Sequence, residues 1–302
     1  MNQFDADGLW MKSRLFMNRA LDGAGRDFEE RAFWACCALE LLGKAALARV
    51  SPLLVANPMD DGNSLLVASG VRESAEAQSV QAKAVWMRCE RAFKPFKAGE
   101  AKKLSNGRNA YIHSAAIGFD AIPESAWWPS FWAQAVILLQ HLGRSVEDYI
   151  GRAAAVTAQR HLQTKRDNLK RQLEARLESA RTRLAQHDSG TLSAKESAEW
   201  VTFTLPGYLH STPIECPACA GDALIGGDEK TDVRVESQAM SSDESWQEPV
   251  VVISIATNAL VCPRCHLEIH EDDLLVEAGV DLSFDTEGDV DDLGWDLEYN
   301  NE

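Results

Sequence analysis

The sequence predicts a mostly α protein: an N-terminal helical bundle, a long amphipathic helix, and a small C-terminal β-rich domain with an acidic tail. Three observations predict it. Residues 1–150 place apolar side chains at helical spacing and show no β-like alternation. Residues 155–187 contain neither proline nor glycine. Beyond Ser189-Gly190, short β-branched runs and paired cysteines replace the helical period. The expected boundaries are 1–152 for the bundle, 153–190 for the long helix, 191–275 for the β-rich domain and 276–302 for the tail.

Within the bundle, residues 27–50 carry Phe28, Phe33, Trp34, Ala38, Leu41, Leu42, Ala45 and Leu47 at the three-and-four spacing of a buried face. Ser51-Pro52 ends that helix, and Asn57-Pro58 with residues 60–63 marks a loop. A second helix is expected over 74–93, stopped by Pro95, and a third, shorter one over 99–116. Ile122-Pro123 and Trp128-Pro129 punctuate the next connection. A strongly apolar fourth helix is then expected over 131–150, with Leu138, Leu139, Leu142, Val146 and Ile150. With no β-like alternation in this half, an up-and-down bundle is expected.

The long helix has a narrow stripe, Leu162, Leu169, Leu173, Leu177, Ala180 and Leu184, among arginines and lysines. Such a seam packs on a partner helix or a short coiled coil, or else the helix is a solvated connector laced with ion pairs. Residues 201–204, 233–236 and 250–255 read as strands. From Glu268 onward there are 14 acidic residues and no Lys or Arg. Leu274, Leu275, Val276, Phe284 and Trp295 keep that stretch from reading as pure disorder, so it docks partway or stays free.

The net charge of −16 over 302 residues is unevenly spread. Residues 1–150 hold 17 basic and 17 acidic side chains, residues 151–190 hold 9 and 4, and residues 191–302 hold 4 and 25. An acidic total therefore does not exclude a nucleic-acid substrate for the first two segments. No run approaches the roughly 18 apolar residues of a membrane span. The acidic opening, Phe4-Asp5-Ala6-Asp7, lacks the basic region of a secretory signal, so a cytoplasmic location is expected. In that reducing setting seven cysteines, an odd number, serve as core thiols or metal ligands. Cys36, Cys37 and Cys89 fall within helical patterns and read as small buried apolar residues.

Chemistry concentrates in two places. The first is Arg108-Asn109-Ala110-Tyr111-Ile112-His113, which follows Lys94, Lys97, Lys102 and Lys103. A guanidinium, an amide and an imidazole within little more than a helical turn suit phosphate binding and proton transfer, and the lysines would attract a polyanion. On an ideal helix Arg108 and His113 diverge by about 140°, while Asn109 and His113 stack. One histidine cannot easily serve both sides of a phosphate, whereas two copies across a two-fold axis supply two. The motif and its helical setting resemble the HEPN superfamily, whose R-x4–6-H ribonucleases are helical bundles over a region like residues 10–150 here. That resemblance implies a homodimer with a composite, metal-independent RNA-cleaving site that leaves a 2′,3′-cyclic phosphate. It implies that Arg108 holds the scissile phosphate, His113 transfers protons and Asn109 orients the pair. The segment Glu40-Leu41-Leu42-Gly43-Lys44-Ala45 is similar to a HEPN helix carrying a Glu and a Lys, which gives Glu40 a supporting role. Tyr111, inside the motif, and the four lysines are candidate substrate contacts. Asn106-Gly107 departs from a continuous helix, so the helix is expected to begin at the motif or be broken there.

The second place is Cys216-Pro217-Ala218-Cys219 and Cys262-Pro263-Arg264-Cys265, two C-x2-C knuckles with 42 residues between them. Two knuckles complete the four-coordinate tetrahedron that zinc prefers, and the pair resembles the zinc-ribbon family. A redox pair would need only one such motif. Four thiolates leave no open position, so zinc would be structural, with no cofactor for catalysis. His266 and His270 read as residues of the second knuckle's turn. Only Lys230, Arg234 and Arg264 lie in or between the knuckles, too little positive charge for nucleic acid, so a protein partner bound through the ribbon or tail is favoured. Two functions follow. One is an RNA-cleaving enzyme of the kind found in toxin, abortive-infection and antiviral systems. The other is a catalytically silent adaptor or sensor within a larger complex.

Overall fold

The computed structural model describes residues 3–22, 25–74, 76–115, 118–239, 247–289 and 292, with backbone alone for 237–239 and 247–249. Between the expected strands 233–236 and 250–255 the sequence reads as a polar, acidic loop over 238–248; most of it, and the end of the acidic tail with Trp295, lie outside the described residues. The chain forms two compact units, Met1–Arg166 and Asp167–Glu302. It is mostly helical, with small antiparallel sheets near the C-terminus. No helix among the described residues is long and apolar enough to cross a membrane.

The first unit is built on α1 (Ala6–Leu21) and α2 (Phe28–Val50). Both start at aspartates, Asp5 and Asp27, whose carboxylates accept from Gly8 and Glu30 backbone N–H groups, satisfying donors that a helix start leaves open. Around α2 pack α1, α4 (Ala82–Ala92), α5 (Ala98–His113) and α6 (Glu124–His141), while a short α3 (Asn63–Ala68) packs on the 3-10 turn Pro52–Leu54. In α2, Ala32, Ala35, Ala38, Ala45 and Ala46 are fully covered, and small side chains there let the neighbours approach closely. A buried chain of hydrogen bonds, Tyr149 Oη to Ser13 Oγ and Ser13 Oγ to the Ala38 carbonyl, ties α7 (Val146–Ile150) to α1 and α2.

Several expected boundaries move. The second helix starts at Ala82, not at 74, because residues before it pair as extended chain with the 55–57 segment: Val80 N–H donates to Val55 O and Asn57 N–H to Gln78 O. The fourth helix starts at Glu124 and contains Pro129, because burial of Trp127, Trp128, Phe131 and Trp132 outweighs the hydrogen bond that proline removes. It ends at His141, where Gly143, at φ 66°, turns left-handed and lets Arg144 N–H reach the Leu139 carbonyl. Residues 146–150 form the separate α7, started by a capping box between Ser145 and Asp148.

α8 (Arg152–Asp188) begins in the first unit, where Ala158 and Leu162 join the bundle core. In the second unit Leu169, Leu173, Leu177, Ala180 and Leu184 cover part of that unit's own core. From Leu169 onward the narrow seam thus meets the core of the second unit. The strand expected over 201–204 is absent. The run Ser193-Ala194-Lys195-Glu196 makes a capping box and starts α9 (Ala194–Val201), a local signal stronger than the β-branched residues after it.

The second unit has two antiparallel sheets. One orders β1 (His210–Glu215), β2 (Asp222–Gly227), β5 (Ala259–Val261) and β6 (Glu268–Ile269) as β1-β2-β5-β6. The other orders β3 (Lys230–Ala239), β4 (Gln247–Ala256) and β7 (Ser283–Glu287) as β3-β4-β7. The expected strands at 233–236 and 250–255 are parts of β3 and β4. Val251, Ile253 and Ile255 face inward at period two. The acidic stretch contributes α10 (Asp272–Glu277), with Leu274 and Leu275 buried, and then β7, with Phe284 buried. The β-rich domain therefore runs past residue 275, into what the sequence assigned to a tail.

Candidate functional site

In the first unit α5 is continuous through Asn106-Gly107 and ends at His113. Gly107 has a packing reason rather than a helix-breaking one. A Cβ there would meet the Phe119 ring at 2.4 Å and the Gly118 carbonyl at 2.7 Å, so only glycine lets the following loop lie against the motif. Phe119 and Phe33 in turn brace Tyr111, with ring centroids at 6.3 and 5.7 Å.

Arg108 points at α2. Its Nη1 donates to Glu40 Oε2, while Lys44 Nζ donates to Glu40 Oε1 at 2.8 Å and to Ser79 Oγ at 3.0 Å. The three side chains are 16%, 17% and 10% exposed, so one carboxylate sits between two cations in a largely dry seam. Burial would raise the Glu40 carboxyl, but Lys44 and Arg108 hold it below the ordinary carboxylate range. Burial works against the Arg108 charge, and Glu40 more than restores it. The remaining guanidinium donors, Nε and Nη2, share Asn109 Oδ1 at 3.3 and 3.2 Å. Cys37 lies half-buried in the same seam, its thiol raised by burial against the influence of Arg108. Cys36 and Cys89 are buried, with thiols donating to the Leu104 and Gly43 carbonyls, and act as core residues.

Lys102, Asn106, Asn109 and His113 follow one another at helical spacing and are all exposed, so they form a polar stripe along α5. The His113 side chain makes no hydrogen bond or ion pair with the described residues. The structure thus brings Arg108 and Asn109 together and leaves His113 open at the helix end, joined to neither. Of the lysines, Lys103 pairs with Glu100 at 2.7 Å, Lys94 and Lys102 are exposed, and Lys97 is the N-cap of α5. Lys44, Ser79 and Asn106 are additions to the expected set. A lysine in the buried part of α2, four residues after a glutamate, is the signal that marks Lys44.

In the second unit the four cysteines converge: Cys216 and Cys265 sulfurs are 3.6 Å apart, Cys219 and Cys262 3.7 Å, and all four lie within 4.8 Å of one another. A disulfide would need about 2.05 Å. Sulfurs about 2.3 Å from a central ion define a tetrahedron with edges of roughly 3.8 Å, which these spacings match. Among the described residues it is the only such cluster. Each knuckle sits at the turn of a hairpin, β1–β2 or β5–β6, and the two share one backbone plan. Cys216 N–H donates to Gly221 O and Ala220 N–H to Cys216 O; Cys262 N–H donates to Leu267 O and His266 N–H to Cys262 O. Ala220 and His266, at φ 51° and 53°, make the left-handed turn that closes each loop. Burial raises the Cys216 and Cys265 thiols, and amides work the other way: those of Ala218 and Cys219 face the Cys216 sulfur, that of Leu267 faces Cys265, and that of Gly221 faces Cys219, whose thiol is lowered overall despite burial. Four cysteines with no disulfide can thus hold a metal ion. His266 and His270 stand outside the cluster. The second half of α8 buttresses it, with Arg181 donating to the Ala218 and Pro217 carbonyls at 2.8 and 3.1 Å and Arg176 forming two bonds to Glu271.

Comparison of this chain with protein-family models, curated proteins and solved structures finds no match.

Proposed function

We propose that this protein is a metal-independent endoribonuclease of HEPN type that acts as a homodimer, with a structural zinc in its four-cysteine site. The observation that carries the reading is the Arg108–Glu40–Lys44 network beneath the exposed stripe Lys102, Asn106, Asn109 and His113. A largely buried carboxylate held between two cations fixes the Arg108 guanidinium, whose other partner, Asn109, lies in the same exposed stripe as His113. RNA cleavage of this kind needs one group to take the proton of a 2′-hydroxyl, whose oxygen then attacks phosphorus. A second group protonates the leaving 5′-oxygen as its bond to phosphorus breaks, leaving a 2′,3′-cyclic phosphate. His113 from each of two protomers would fill these roles. Arg108 would turn from Asn109 toward the phosphorane, and Lys102 and Tyr111 would contact the chain on either side. Toxin, abortive-infection or antiviral defence in the cytoplasm is the setting the resemblance suggests, with a protein partner engaged by the second unit.

Another observation favours a second reading. Arg108 already has Glu40 as partner and His113 has none, as in a silent adaptor whose motif is structural. Labelled RNA incubated in EDTA with the wild type, His113→Ala and Arg108→Ala separates the two. Cleavage that persists in chelator and drops 100-fold or more in both variants supports the nuclease, in line with the usual contribution of proton-transfer groups. A dimer by light scattering with no cleavage of any RNA supports the adaptor.

A further inference from the structure

In the second unit, His187, Trp200, His266 and Phe203 stack in series, with ring centroids 4.5, 3.9 and 3.9 Å apart. His266 directly follows Cys265 and is held by the left-handed turn of its knuckle. The stack therefore fastens α9 and residue 203 to the metal-site loop. Beside it opens a pocket of about 320 Å³ whose lining includes Leu192, Glu196, Glu199, Trp200, Phe203 and Glu268. Large apolar side chains continue from it along the chain: Val201 is 83% exposed, Leu205 43% and Leu209 77%. An isolated exposed apolar residue is ordinary, but three in nine residues beside an aromatic pocket mark a surface meant to be covered.

Charge says what covers it. The glutamates of the rim are held by weak surface contacts: Glu199 to Lys195 at 3.8 Å, Glu268 to His270 at 3.6 Å and Glu196 to its capping serine. The one cation of the lining, Arg183, is turned to the His266 carbonyl at 3.4 Å. Residues 191–302 carry 25 acidic against 4 basic side chains, so nucleic acid and the chain's own acidic C-terminal stretch are both repelled. We infer that the Trp200–Phe203 pocket and the adjoining Val201, Leu205 and Leu209 receive a segment of a partner protein with a large apolar anchor flanked by lysines and arginines. The anchor enters the pocket and the flanking cations meet Glu196, Glu199 and Glu268, the hydrophobic-centre and polar-rim arrangement of protein interfaces. The inference rests on the reading that the second unit recruits a protein and is independent of RNA cleavage by His113.

The test uses the full metal-loaded chain and two labelled synthetic peptides with the same Leu and Trp residues, one flanked by Lys and Arg and the other by Glu. Fluorescence anisotropy should show binding of the basic peptide at least tenfold tighter than the acidic one. Trp200→Ala and the fully exposed-surface change Val201→Asp should each weaken it at least tenfold, and Glu199→Lys with Glu268→Lys should narrow the preference between peptides. Metal content and circular dichroism, unchanged in Val201→Asp, exclude misfolding. No binding of the basic peptide, equal binding of both peptides, or full binding by Val201→Asp overturns the proposal. So does a homodimer that Val201→Asp converts to monomer, because the face would then serve a second copy of the chain. Where Val201→Asp leaves the oligomeric state unchanged, RNA cleavage should be unaffected.

Discussion

The first unit holds Arg108 through side chains of another helix, whereas the second holds Cys216 through its own next five residues. Arg108 depends on Glu40, 68 positions earlier in the chain, and Glu40 depends on Lys44 and Ser79 in turn. Cys216 depends on the backbone of residues 218–221, and Cys262 repeats the same bonds with its own followers. A network of side chains can be retuned one member at a time. A backbone knuckle is all-or-none, since its ligand geometry comes from the turn itself.

The sharpest test of that difference is Cys265→Ser. With the proposed zinc bound, one ligand fewer should empty the site and unfold the second unit, because a structural zinc contributes on the order of 10 kcal/mol to small domains. Metal analysis and proton NMR check it, with the first unit's signals preserved; retention of stoichiometric metal would break the comparison. Next comes Glu40→Gln, which leaves two cations of a half-buried seam without their counter-charge. A loss of about 2 kcal/mol is expected, below the 3–5 of a fully buried pair because the seam is still partly wet. Its pH dependence has a definite sign. The folded carboxyl lies below the unfolded value, so the stabilisation is complete above the ordinary carboxylate range and is lost as pH falls through the lowered folded value. Denaturant melts of wild type should therefore weaken below about pH 4 more steeply than those of Glu40→Gln, given an ordinary Glu value near 4.3.

Gly107→Ala sharpens the comparison within the first unit. The added methyl meets Phe119, and a cost of about 1–3 kcal/mol is expected from overpacking, read as a lowered melting temperature. If the loop yields instead, the melting temperature rises slightly through helix propensity. The smallest effect belongs to Arg176→Ala. Its two bonds to Glu271 hold that carboxyl down to about 2, yet both groups are well exposed, so the loss should stay under about 1 kcal/mol. That small contribution is present above the ordinary glutamate range and fades as pH approaches 2.

How much was legible follows the same division. The two knuckles, their residues and their convergence could be read directly, because C-x2-C fixes a local turn. α2 could be read from apolar spacing and α8 from its stripe and its lack of proline and glycine, whereas α5 runs straight through the Asn106-Gly107 that read as a departure from helix. Arg108's partner could only be guessed at, since nothing near Arg108 in sequence points to Glu40, and Lys44 and Ser79 enter through packing of α2 on the 55–57 and 78–80 segments. Residues 78–80 fall within a helix-like spacing and are pulled straight by pairing with residues 55–57. Pro129 looks like a stop and is overridden by four buried aromatics. The run 201–204 looks like a strand by residue type, and the capping box eight residues earlier decides otherwise.

Cys219 lies 43 positions before Cys262, so the first hairpin's two thiols are made well before their counterparts. During synthesis a nascent chain that has passed β2 therefore displays half a coordination shell, two thiols exposed to oxidation or to a borrowed ion, until Cys265 leaves the ribosome. At ordinary elongation rates of 5–20 residues per second that window lasts on the order of seconds. Truncations ending before Cys265 should accordingly yield a second half that never closes, however intact its first hairpin.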